Sequence, residues 1–226
     1  MKTKPALFVL AAVAASLSAS QAAAAVSITF EDLVAGTTLS NQYTGLGATF
    51  SPNAFSGAGS STSGKPWAGN TDMTVVSSTG SDAGGLGTPG LVSGNILRSF
   101  NGWLGEDGDP SFRITFASQG ATAVSMDFAG VSTPADVRLF AYNGATLLKT
   151  VTSTVLTGQF TLSYSADAGQ KITSVAVTPG SFNDWVGVDN VNFTLVPVPE
   201  PETYAMMLLG LGALGLARRY GKPRAG

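Results

Sequence analysis

The chain has 226 residues, with 28 glycines, 11 prolines, 12 % charged and 44 % hydrophobic residues and a formal net charge of −2. Those proportions describe a folded chain rather than a disordered polyelectrolyte, with length for one ordinary domain. It contains no cysteine and no histidine, which excludes disulfides, thiolate or imidazole metal sites, Cys-His dyads, Ser-His-Asp triads and a histidine general base.

Met1-Lys2-Thr3-Lys4 is basic, Ala6 to Leu17 is apolar, and Ser18 to Ala25 are small apart from Gln21. A basic start, a short apolar run and an A-x-A site describe a secretory signal peptide over residues 1–25, cut after Ala24 or Ala25. The apolar run is short of the roughly 20 residues a membrane span needs.

Residues 26–196 follow. They carry six basic side chains (Lys65, Arg98, Arg113, Arg138, Lys149, Lys171) against twelve acidic ones. An exported body of that sign lacks the basic patches that hold phosphates, so nucleic acid is excluded as a partner. A cation or a neutral sugar suits it better. Apolar residues here recur with period two. Short runs fall at Ser27 to Phe30, Ala48 to Ser51, Met73 to Ser78 and Ile96 to Phe100. Further runs hold Phe112/Ile114/Phe116, Val137/Leu139/Ala141, Phe160/Leu162/Tyr164, Ile172/Val175/Val177 and Val186/Val188/Val191/Phe193. Tyr142-Asn143-Gly144-Ala145, Ala166-Asp167-Ala168-Gly169 and Thr178-Pro179-Gly180-Ser181 have turn chemistry, and Asn143-Gly144 suits a tight hairpin. No amphipathic helix of ten residues occurs in the body. Nine to eleven short strands predict an all-β fold, an antiparallel β-sandwich of jelly-roll type. Residues 51–94, rich in Gly, Ser, Thr and Asn, predict long loops at one end of it, where binding commonly sits.

Val196-Pro197-Val198-Pro199-Glu200-Pro201-Glu202-Thr203 reads as extended chain. Tyr204 to Ala217 is uncharged and apolar, and Arg218, Arg219, Lys222 and Arg224 form a basic stop. Fourteen helical residues reach about 21 Å against a hydrocarbon core of about 30 Å. That describes a short transmembrane helix held transiently, with its basic tail on the cytoplasmic side; a plain C-terminal anchor is the alternative. Val198-Pro199-Glu200-Pro201, the apolar helix and the arginine cluster resemble the PEP-CTERM sorting signal of Gram-negative bacteria. The same segment resembles the region termed the ice-binding protein C-terminal domain. The first resemblance implies export across the inner membrane, cleavage near Pro-Glu-Pro by an exosortase, and association with exopolysaccharide or biofilm matrix at the cell surface or outside the cell. Residues 197–226 are therefore expected to be a sorting unit. Tyr220 to Gly226 run past the point where many such signals stop.

Three constellations are candidate sites. In a sandwich whose first and last strands are neighbours, Glu31, Asp32, Asp189 and Asn190 could surround one point. Hard oxygen ligands of that kind suit Ca²⁺. The body resembles secreted jelly-roll, carbohydrate-binding-like modules, and that resemblance implies a structural calcium with Glu31 and Asp189 as ligands. The alternative is that Asp32 caps a turn and Asn190 faces solvent. Gly105-Glu106-Asp107-Gly108-Asp109-Pro110 reads as an exposed turn or a second calcium loop. Trp67 and Trp185, each near Asn and Asp, are candidate sugar platforms, with core filling as the alternative for Trp185 and the expected role of Trp103. No acid/base pair of carboxylates stands out. The expected function is a non-catalytic, glycan-binding or structural matrix protein. A carboxylate-based glycan-active enzyme and an ice-binding or adhesive surface protein are the alternatives.

Overall fold

A computed structural model describes residues 23–53, 73–79, 90–99, 112–129, 137–155, 158–178, 186–197 and 201–220. Eleven strands lie among them: β1(Ala25–Ile28), β2(Ala48–Pro52), β3(Thr74–Ser77), β4(Asn95–Ser99), β5(Phe112–Phe116), β6(Ala121–Ala129), β7(Arg138–Asn143), β8(Thr146–Thr152), β9(Phe160–Ser165), β10(Ser174–Thr178) and β11(Val186–Leu195). They build two sheets. One has the order β3-β4-β11-β6-β9, with β1 also pairing β11; the other has the order β2-β5-β10-β7-β8. Every strand pair is antiparallel. The antiparallel sandwich expected from the period-two runs is the fold, and Ala24–Val196 is one compact unit.

The alternation explains the layers. Phe50, Phe112, Ile114, Val175, Val177 and Leu139 from the second sheet face Ile28, Val124, Met126, Phe128, Leu162 and Val191 from the first, all buried. Phe116 and Phe193, one from each sheet, meet with ring centroids 5.0 Å apart. Burying such side chains is worth about 1.5–3 kcal/mol each. Two strands went unrecognised in the sequence. In β6, Val124, Met126 and Phe128 alternate with Ser125 and Asp127, but flanking alanines dilute the pattern. In β8, Thr146 to Thr152 shows no clean alternation, because it is an edge strand whose two faces are both largely exposed. The β7–β8 hairpin turns on Gly144-Ala145, with Asn143 paired to Thr146 and Gly144 at φ +58°.

Phe30, expected in the first strand, lies beyond it at φ +60°. A left-handed backbone costs a phenylalanine roughly 1–2 kcal/mol. Full burial against Tyr43 and Phe50, at centroid distances of 5.9 and 6.2 Å, offsets that cost. β1 starts at Ala25, and the Leu195 amide donates to the Ala24 carbonyl, 2.9 Å. One residue assigned to the leader, Ala25, therefore belongs to the sheet, and Ala24 is hydrogen-bonded to it.

α1(Pro201–Tyr220) belongs to the chain's other compact unit. Pro201, Glu202 and Thr203, expected to be extended, form its first turn: proline's locked φ suits the first helical position, and an acidic residue is favoured there. Met207, Leu208, Leu209, Leu211 and Leu214 are exposed on it. The helix is about 30 Å long by its rise, but its ends carry Glu202, Arg218 and Arg219. Among the described residues no helix is long and apolar enough to cross a membrane, which corrects the expectation of a short transmembrane helix over 204–217. The expected signal helix lies outside the described residues.

Candidate functional site

The first constellation surrounds the segment that leads into β4. There the Ser93 amide donates to Asp189 Oδ2 at 3.1 Å, and the Asn95 amide to Glu31 Oε1 at 2.9 Å. Asn190 Nδ2 donates to the Leu91 carbonyl at 2.8 Å, and Asn95 Nδ2 to the Leu33 carbonyl at 2.9 Å. The Val92 amide donates to Gln159 Oε1 at 3.0 Å. Gly94, at φ +63°, leaves room for the Glu31 carboxylate: a Cβ there would stand 1.8 Å from Glu31 Oε1 and displace it. Side chains from β11, from the turn after β1 and from the residue before β9 thus take up the polar backbone of residues 91–95. Unpaired, such groups would cost free energy wherever they are shielded from water.

The topology brings Glu31, Asp189 and Asn190 together, as the neighbouring first and last strands predict. It adds Asp127, which the sequence reading did not single out. Asp127 lies opposite Asp189 in the β6–β11 ladder. It accepts from Asn190 Nδ2 at 3.0 Å and from the Thr161 hydroxyl at 2.5 Å. The signal for it was present as the polar position between Met126 and Phe128. Asn190 sits at φ +49° where the β11 register shifts, a backbone that asparagine tolerates. Asp32 turns elsewhere: its Oδ1 takes the Tyr43 hydroxyl at 2.6 Å. Burial, then this carboxylate, pushes the Tyr43 hydroxyl well above its ordinary value. Burial also raises the Asp189 carboxyl, against the lowering effect of the Ser93 and Asn190 amides; the charges of Glu31 and Asp127 raise it further.

As placed, these carboxylates hold amide and hydroxyl donors instead of converging on a point. Among the described residues no group of three or more acidic side chains is arranged to hold a metal ion. Of the donor set Glu31, Asp32, Asp189 and Asn190, three residues serve the segment before β4 and Asp32 serves the Tyr43 hydroxyl. Trp67, Trp103, Trp185 and the acidic run 105–110 lie outside the described residues.

Each sheet has a distinct outer face. On the first, Ser27, Ser125, Ser163, Ser165 and Asn192 line a shallow groove of about 380 Å³. It offers hydroxyl and amide groups and no titratable side chain. On the second, the Arg113 guanidinium lies 4.8 Å from the centroid of the Tyr142 ring. Arg113 Nε donates to Asn53 Oδ1 at 3.1 Å and Nη1 to the Ser174 hydroxyl at 2.7 Å, both partners being buried. The strand signals that located β5 and β7 contained both residues, but cross-strand neighbours are set by sheet order, which the sequence does not display.

Residues 197–222 match the profile of the PEP-CTERM protein-sorting motif. Comparison with curated proteins found no match. Among solved structures, the chain is similar to the K2 cleaved adhesin domain of Lys-gingipain, at 18 % identity and a TM-score of 0.45 over 76 % of this chain and all of that one. It is also similar to a family 29 carbohydrate-binding module from Piromyces equi, at 11 % identity and a TM-score of 0.33 over 66 % and 91 %. A third is the family 32 module of NanJ from C. perfringens, solved with galactose, at 10 % identity and a TM-score of 0.33 over 63 % and 93 %.

Proposed function

We propose that the chain is an exported, exosortase-processed surface protein whose sandwich holds matrix polysaccharide without altering it chemically. The sorting motif over residues 197–222 carries the first half of this reading. Val198-Pro199-Glu200-Pro201 is the segment presented for cleavage. Transient retention at the membrane comes from the exposed apolar side chains of α1, Met207, Leu208, Leu209, Leu211 and Leu214, together with Arg218, Arg219, Lys222 and Arg224. The second half is supported by the acidic groups themselves. Among the described residues, Glu31, Asp32, Asp127 and Asp189 each hold a backbone or hydroxyl donor, as structural carboxylates do.

The test replaces Pro199, Glu200 and Pro201 by alanine in the producing bacterium. Intact mass is expected to show loss of the C-terminal segment from the wild type, recovered outside the inner membrane, and a full-length variant retained in the membrane fraction. Identical masses for both would overturn the processing. Incubation with the producer's exopolysaccharide should give co-sedimentation without shortening of the polymer; shortening would favour the enzyme alternative.

Calcium stands as a second proposal at the loop before β4. The mutual repulsion of Glu31, Asp127 and Asp189 is what favours it, since a divalent ion would relieve that repulsion. Binding would require Glu31 and Asp127 to leave their present partners.

A further inference from the structure

We infer that the β2–β5 part of the outer face of the five-stranded sheet binds an acidic polysaccharide, with Arg113 taking a sugar carboxylate. The inference rests on the glycan-holding reading and adds the chemical class and the place. Charge carries it. The body has twice as many acidic as basic residues, yet β2, β5, β7, β8 and β10 contain Arg113, Arg138 and Lys149 and no Asp or Glu. Of these three, Arg113 and Arg138 lie on the outer face, while Lys149, paired with Ala141, lies on the other. Ladder register places Arg113 and Arg138 on the same face: Ala176 lies opposite both Arg113 and Phe140, and Thr178 lies opposite Arg138. This face is opposite the one that Ile114, Val175, Val177 and Leu139 bury in the core.

Geometry makes Arg113 the anchor. Two of its donors are tied to Asn53 and Ser174, and its plane is held against Tyr142. Nη2 and the Tyr142 hydroxyl have no partner among the described residues. A planar guanidinium held on three sides loses little freedom on capturing a carboxylate, which is what distinguishes a recognition arginine from a solvated one. The uncharged Thr49, Ser51 and Thr115 beside it offer hydroxyls to a sugar chain without repelling its charge.

The experiment measures retention of the full chain, in mild detergent, on immobilised polygalacturonate and on dextran, at about 0.05 M and about 0.5 M salt. Retention on polygalacturonate and not on dextran, lost at the higher salt, is expected. Arg113→Gln should weaken it about tenfold. Arg113→Lys should keep a weaker, still salt-sensitive interaction. Tyr142→Phe, which keeps the ring beneath the guanidinium, should weaken it less than Tyr142→Leu. Ser163→Ala, in the groove of the other sheet, should leave it unchanged. Should Arg113→Gln unfold, the conservative Arg113→Lys and the contrast of Tyr142→Phe with Tyr142→Leu decide the matter. Retention on dextran alone, or loss through Ser163→Ala and not through Arg113→Gln, overturns this inference and leaves the glycan reading standing. Retention on neither polymer overturns both.

Discussion

Asp189 shows how one buried carboxylate can be structural at a position that reads as a metal ligand. It is 2 % exposed, and both its oxygens accept backbone amides. Its folded-state carboxyl is raised above 3.8, with burial as the main cause and Glu31 and Asp127 adding to it. The folded chain therefore takes up this proton more readily than the unfolded chain. The residue carries a penalty near neutrality, which is relieved as pH falls through the raised value toward the unfolded one. Asp189→Asn lacks that titration. The wild type should thus gain melting temperature relative to the variant between about pH 7 and about pH 4. A gap that stays constant across thermal melts would show that the carboxyl is not perturbed.

Among the elements, β1 and α1 bear on processing. The Ala24 carbonyl and the Ala25–Thr194 pair belong to the β1–β11 ladder. A leader cut after Ala25 would remove both, exposing the Leu195 amide and part of an edge. Ser20 and Ala22 also supply small residues three and one before a bond, and a cut after Ala22 leaves the ladder whole. The exported protein is therefore expected to begin at Ala23. Intact mass checks this, and a start at Val26 would contradict it. The elements also differ in how legible they were. Strands with one buried and one wet face, such as β5 and β9, announce themselves by alternation. β8 did not, because its edge position leaves both faces largely wet; β6 did so only weakly, through its alanines.

For the whole molecule, a sandwich without disulfides draws its stability from a main core shared by both sheets and a smaller cluster of Val92, Ile96 and Ala129. Any ligand that binds only the folded state adds to it by mass action. If calcium binds before β4, a hundredfold excess over its Kd should add about 2.7 kcal/mol, visible as a rise of several degrees in melting temperature and reversed by chelator. An unchanged melt would leave the amide contacts of Glu31 and Asp189 as the full account of that corner.

Sequence alone determined the sandwich class, through period-two burial, and the sorting segment, whose proline, apolar and basic parts are contiguous and need no fold to be read. It also foretold that the first and last strands would bring Glu31 near Asp189. Only the tertiary structure decided what these carboxylates hold, that Asp127 joins them while Asp32 turns to Tyr43, and that Arg113 lies on Tyr142. Those are contacts between strands distant in the chain, and strand order and register, which set them, come from packing two faces around one core, not from any local run of residues.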